Sequence, residues 1–166
     1  MTNIILSGCS GKMGRVIARE IAKRDDCKVV AGVDVFSDGS AEFPVYDDFS
    51  KVQEKADAII DFSNPAVLAG LLNYAVSKNV PAVICTTGFS KEQIADIEKA
   101  SKKVAIFHSG NMSLGINLLI ELSKKAAEIL GSAFDIEIIE KHHNQKLDAP
   151  SGTALMIADG ISKVME

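Results

Sequence analysis

The chain has no low-complexity stretch, no block of Lys or Arg, no internal repeat and no apolar run of membrane-spanning length. Those absences argue against a disordered tail, a polybasic surface for nucleic acid or anionic lipid, a repeat array and a transmembrane helix. Cysteine is scarce. The three residues Cys9, Cys27 and Cys85 are odd in number, lack metal-ligand spacing and sit in or beside apolar runs, which suits reduced, buried thiols. Histidine is equally scarce, with three in 166 residues, yet His142 and His143 are adjacent. Glycine follows the first apolar run too soon for a signal-peptide core, so a cytoplasmic location is expected.

What is present is the composition of a globular protein: 47% of residues are hydrophobic, 24% are charged, and the formal net charge is −4. Apolar, β-rich runs alternate with helix-period segments. Strands are expected at 3–7, 28–34, 58–62, 81–87 and 104–108. Helices follow the first run, open at Asn64 with Pro65 in the first turn, and open again at Ser90 in the capping-box pattern SKEQ. Strands apolar throughout and separated by helices indicate a parallel sheet covered on both faces. The fold class expected is α/β, an N-terminal Rossmann-type doubly wound domain over 1–112.

Beyond it, Ser113 opens a long helix closed by Gly131, the stretch FDIEIIEKHH alternates as a half-wet strand, and another helix begins near Ser151. One strand and one or two helices do not complete a domain. Residues 113–166 are therefore expected to be the first part of an α+β substrate and oligomerisation domain, truncated at its C-terminal side.

Between the first strand and the first helix lies Gly8-Cys9-Ser10-Gly11-Lys12-Met13-Gly14, spaced G-x-x-G-x-x-G with Ser10 at the usual middle glycine. Such a loop lets a pyrophosphate approach backbone N–H groups at a helix N-terminus. Asp34 ends the second strand, where a carboxylate accepts hydrogen bonds from an adenosine ribose. It would repel a 2′-phosphate, and only Lys12 and Arg15 offset that, so NADH is expected ahead of NADPH. Cys85-Thr86-Thr87 and Ser109-Gly110-Asn111 end later strands on the ligand side of such a sheet, and suit a nicotinamide ribose and carboxamide. Phe62-Ser63 either lines that crevice or, through Ser63, caps the next helix.

The stretch EKHHNQKLDAPSGTA (140–154) is the densest in chemistry. Adjacent histidines on a strand point to opposite faces, so a metal is not expected. Pro150 stops a strand, Ser151 or Thr153 can cap a helix, and Gly152 allows close backbone approach, which together suit a carboxylate or phosphate. His and Lys just upstream add positive charge and exchangeable protons. With a nicotinamide cofactor, the reaction expected is hydride transfer coupled to protonation.

On GCSGKMG, CTTGFS, SGNMSLGINLL and above all EKHHNQKLDAPSGTA, the chain resembles the dihydrodipicolinate reductase family of lysine and diaminopimelate biosynthesis. The resemblance implies a cytoplasmic homotetramer that reduces 4-hydroxy-tetrahydrodipicolinate, or the dihydrodipicolinate formed from it by loss of water, to tetrahydrodipicolinate. It implies Lys146 as proton donor, with His142 orienting or relaying. It further implies that His143 holds one substrate carboxylate and that Ser151, Gly152 and Thr153 hold the other. Gly8 to Met13 and Asp34 would bind the pyrophosphate and adenosine ribose, and Cys85 to Thr87 with Ser109, Gly110, Asn111 and Met112 the nicotinamide half. The chain departs from the family pattern at Cys85, where many members have glycine, at Met112, where phenylalanine is common, and in being much shorter. No partner beyond the small dicarboxylate is expected, neither nucleic acid nor membrane. Homoserine and aspartate dehydrogenases would share the first domain without the HHNQKLDAPSGT stretch. The alternative of another class is an NAD(H)-binding module, or an inactive fragment without turnover.

Overall fold

Strand β1 (Thr2–Ser7) is buried over its last four residues, Ile4 to Ser7. It has to be, because in the computed structural model it lies at the centre of a sheet with a neighbour on each side. The structure describes residues 1–144 and 149–165, which form two compact units, Met1–Ser109 and Gly110–Glu166.

In the first unit β1 leads to helix α1 (Lys12–Ile21) and then to β2 (Cys27–Val33), a two-residue β3 (Val45–Tyr46) and β4 (Ala58–Asp61). Helix α2 (Leu68–Lys78), β5 (Ala82–Ile84), α3 (Lys91–Ser101) and β6 (Ile106–His108) follow. The strands run in the order β3-β2-β1-β4-β5-β6, and every pairing is parallel. This is the doubly wound order 3-2-1-4-5-6, whose switch point falls between β1 and β4. The expected α/β class is what the chain adopts. One strand, β3, lies outside the sequence reading: a two-residue edge strand in register with Gly32 and Val33 is too short to carry a pattern.

Local chemistry explains where the helices begin. Asn64 accepts from the Ala66 N–H at 2.9 Å, and Pro65–Val67 form a 3₁₀ turn that runs into α2. Ser90 and Gln93 close the full capping box of α3, with bonds of 3.3 and 3.0 Å. Helix α2 ends on Asn79 in the left-handed conformation, φ 54°, a role asparagine takes more readily than most residues.

The main core cluster joins the sheet to α2 and α3. Ile5, Ile59, Leu71, Ala75 and Ile84 are completely buried, and Phe49 stacks at 5.6 Å on Tyr74. Burying each such Ile or Leu stabilises by about 1.5–3 kcal/mol.

The second unit holds α4 (Leu114–Leu130) and α5 (Gly152–Met165), which pack on one another around Ala127, Ala154 and Gly160. Ser113 caps α4 through the Ile116 N–H at 3.3 Å, and Gly131 ends it, as the sequence suggests. The half-wet strand expected in FDIEIIEKHH is not formed: residues 135–143 carry no regular secondary structure. A strand exists only when a neighbour accepts its hydrogen bonds, and none of the described residues supplies one here. Ile136, Ile138 and Ile139 accordingly remain exposed. Among the described residues no helix is long and apolar enough to cross a membrane.

Candidate functional site

The glycine loop is built for backbone crowding. Gly8 has φ +75°, and a Cβ on it would collide with the Phe62 carbonyl oxygen and lie 2.9 Å from Ser63 Cα. A Cβ on Gly14 would overlap the Gly8 carbonyl oxygen and lie 2.7 Å from Cys9 Cα. The loop thus presses α1 against the end of β1, and the switch-point turn after β4 against the loop. Gly11 stands at the N-cap of α1 and offers no side-chain cap, whereas Ser90 and Ser113 cap α3 and α4. First-turn N–H groups of such a helix have no partner within the helix and suit an anion.

Asp34 shapes this loop with one hydrogen bond on each carboxylate oxygen. Its Oδ2 accepts from the Ser10 N–H at 3.0 Å and its Oδ1 from the Phe36 N–H at 3.1 Å. The Ser10 hydroxyl donates to the Phe36 carbonyl at 2.6 Å. Arg15 donates to the Ser10 carbonyl at 2.9 Å and to Asp38 at 2.8 Å. Hydrogen bonds from Ser40, and then from Arg15, hold the Asp38 carboxyl well below the usual carboxylate range. A cavity of about 720 Å³ opens between α1 and the 37–43 stretch, lined by Cys9, Ser10, Arg15, Arg19, Lys28 and Phe43 among others. Ser63, Cys85 and Thr86 do not line it.

At the ends of β4 and β5 stands a residue that sequence reasoning missed. Asp61 is 2% exposed, and both of its carboxylate oxygens accept from hydroxyls. Ser63 Oγ donates at 2.5 Å, Thr86 Oγ1 donates at 2.7 Å, and Thr86 Oγ1 in turn accepts from the Ser63 N–H at 2.9 Å. Ser63 therefore lines the strand ends, and the helix cap falls to Asn64. The available signal was a lone carboxylate closing the apolar strand AIID. On the adjacent strand Ser7 Oγ is buried with no partner among the described residues.

The cysteines differ from one another. Cys9 and Cys85 are buried, but Cys27 is only half-buried because it begins β2 at the open N-terminal edge of the sheet. Burial, and then the charge of Asp61, push the Cys85 thiol up to about 11, and burial also raises Cys9. A raised pKa means less thiolate at any given pH. At about pH 8 only about one Cys85 in a thousand is ionised, so it is no nucleophile in the native fold. Alkylation of the native chain with iodoacetamide is expected to label Cys27 first, and Cys9 and Cys85 only on unfolding. Peptide mapping checks this, and prompt native labelling of Cys85 would contradict it.

In the second unit Glu140 ties the histidine stretch to the start of α5. Its carboxylate accepts from the Ser151 N–H at 2.8 Å and the Ser151 hydroxyl at 2.5 Å, and lies 3.6 Å from His142 Nδ1. Ser151, which is buried, also accepts from the Ala154 N–H at 3.1 Å as the helix cap. Asn111 donates to Thr153 Oγ1 at 3.3 Å and accepts from the Ser113 N–H at 2.7 Å. His142, Ser151, Gly152, Thr153 and Asn111 are thus gathered around one helix N-terminus, with Glu140 as a hub that the sequence reading left out. His143 and the half-exposed Met112 lie in the same unit, whereas Ser109 belongs to the first, its N–H bonded to the Ile84 carbonyl at 3.1 Å. Lys146 lies outside the described residues. No cluster of three or more metal-ligating side chains occurs among the described residues.

Comparison with known proteins agrees with this architecture. The family model described as dihydrodipicolinate reductase, N-terminus, matches residues 2–112, and its C-terminus counterpart matches residues 115–166. A 4-hydroxy-tetrahydrodipicolinate reductase of Clostridium novyi is 49% identical over 97% of this chain and 64% of its own length. One from Caldanaerobacter subterraneus subsp. tengcongensis is 52% identical over 99% of this chain and 65% of its own. The dipicolinate-bound dihydrodipicolinate reductase from Paenisporosarcina sp. TG-14 superposes with a TM-score of 0.78 at 31% identity, over 99% of this chain and 67% of that one. The chain thus spans just under two thirds of the length of these curated relatives. With both family models matched in order along it, the chain belongs to the dihydrodipicolinate reductase family.

Proposed function

We propose that the protein reduces 4-hydroxy-tetrahydrodipicolinate, or the dihydrodipicolinate formed from it by loss of water, to tetrahydrodipicolinate, using NADH or NADPH. The observation that carries the reading is the Glu140 hub, which draws the histidine stretch onto the N-terminus of α5. That arrangement puts an imidazole and a helix N-terminus together, as a ring bearing two carboxylates requires. Gly152 and Thr153 hold one carboxylate there, with Ser151 fixing the turn, and His143 meets the other.

The cofactor, when bound, supplies a hydride to the ring. Lys146 supplies the proton: an ammonium with a free pKa of about 10.4 is charged at neutral pH and serves as an acid without tuning. Lys146 becomes neutral in that step and is reprotonated from solvent. His142, with Glu140 beside Nδ1, orients or relays. Gly8, Cys9, Ser10, Gly11, Lys12 and Met13 cradle the pyrophosphate, and Cys85, Thr86, Thr87, Ser109, Gly110, Asn111 and Met112 serve the nicotinamide half. The uncapped start of α1 supports that fit. Asp34 faces the adenosine ribose, and Arg15 is already paired with Asp38, which favours NADH over NADPH. Residues 1–112 form the dinucleotide domain and 113–166 begin the substrate domain. The full-length enzyme is a cytoplasmic homotetramer in this reading.

The test is an assay of the full-length protein with each cofactor, following loss of reduced-nicotinamide absorbance. Oxidation that depends on substrate and yields tetrahydrodipicolinate is expected, faster with NADH. A protein that binds NADH yet oxidises none of it in the presence of substrate would be a binding module instead.

A further inference from the structure

Asp61 has a task that the reaction as described leaves unassigned. It is buried at the C-terminal end of β4, in register with Ser7 on β1 and Ile84 on β5, beside the switch point. Two hydroxyls donate to it, from Ser63 at 2.5 Å and Thr86 at 2.7 Å. A carboxylate only accepts, so both hydroxyl protons are committed inward. Thr86 Oγ1 also receives the Ser63 N–H at 2.9 Å, and the Cys85 N–H donates to the Asp61 carbonyl at 2.9 Å. These bonds stitch the turns after β4 and β5 together, and the Asp61 side chain receives two of them. Thr86 is itself buried, but Ser63 is half-exposed, and its hydroxyl proton is directed at Asp61, with the Asn64 carbonyl at 3.5 Å as a second acceptor.

We infer that Asp61 is a positioning residue for the nicotinamide riboside half of the cofactor: it makes Ser63 Oγ a one-way acceptor at the strand ends, matched to a hydroxyl or amide donor of that half. The inference rests on the dinucleotide reading above. Ligands of doubly wound sheets lie beyond the carboxyl ends of the strands at the switch point, where Ser63 stands. A hydroxyl free to rotate would present either polarity and lose orientational freedom on binding. One locked by a buried carboxylate is already arranged.

Calorimetric titration of the full chain with NADH and with ADP, which lacks the nicotinamide riboside, tests this. Wild type is expected to bind both. Asp61→Asn, whose amide donates to one of the two hydroxyls, is expected to bind NADH roughly tenfold more weakly and ADP unchanged. Equal weakening of both ligands would mean a merely structural role, and unchanged NADH affinity would also overturn the inference. Should Asp61→Asn fail to fold, Ser63→Ala keeps the carboxylate and removes the acceptor. It is expected to show the same tenfold split, and retention of full NADH affinity would again overturn the inference. Wild type that bound neither ligand would remove the dinucleotide reading and this inference with it. Wild-type binding of both, with no split in the variants, would remove this inference alone.

Discussion

Gly14→Ala is expected to destabilise the first unit by about 3–5 kcal/mol, a large part of the 5–15 kcal/mol typical of a domain. The atoms a new methyl would meet are the Gly8 carbonyl oxygen, Cys9 Cα at 2.7 Å and Cys9 C at 2.8 Å. All three are backbone, so no side chain can swing away to make room. Relief requires α1 to move off the end of β1, or the loop to unfold from beneath it. Either change undoes the Asp34 bond to Ser10 and the Arg15 bond to the Ser10 carbonyl, because both depend on where Ser10 stands. Gly115→Ala is the control. It sits in the first turn of α4 with only Ser113 Oγ near it among the described residues, at 3.8 Å, and is expected to gain at most about 1 kcal/mol from helix propensity. Urea unfolding followed by circular dichroism distinguishes the two. If Gly14→Ala unfolds within 1 kcal/mol of wild type, on the order of ordinary surface changes, α1 does not press on the loop as described.

Lys146→Arg in the full-length enzyme is expected to lower kcat by about 10²–10⁴-fold, with KM for the dicarboxylate changing far less. Arginine keeps the positive charge but does not give up a proton at any accessible pH. The substitution therefore separates proton donation from anion binding, which Lys146→Met would remove together, raising KM as well. NADH affinity is expected to hold in both variants, because the glycine loop belongs to the first unit. Steady-state kinetics with direct cofactor titration reads all three quantities. A Lys146→Arg enzyme with wild-type kcat would exclude Lys146 as the proton donor and move that role to His142.

Much of the molecule was legible because local patterns report local physics. Runs such as NIILS and AIIDF are apolar on both faces, so they announced buried parallel strands. SKEQ and the Asn64-Pro65 pair announced helix starts, because a cap bonds within three residues of itself. The glycine loop was readable for the same reason. The crowding at Gly14 is set by Gly8 and Cys9, close in sequence as well as in space, whereas that at Gly8 comes from the distant Phe62 and Ser63.

What stayed hidden lies in contacts between residues far apart in the chain. Asp61 meets Thr86 across 25 positions, Asp34 meets Ser10 across 24, and Glu140 meets Ser151 across 11. A carboxylate in a sequence carries no mark of which donors will reach it. Phe49 gave no sign of lying at the bottom of the core against Tyr74. The segment 134–143 shows the opposite limit: its alternation is that of a strand, but alternation specifies a face and not a partner, and no ladder forms there. Sequence alone therefore determined the class of fold, the helix starts and the chemical types gathered at the two candidate sites, through periodicity and capping. The tertiary structure alone decided which polar group answers which, because hydrogen bonds depend on distances that only packing sets.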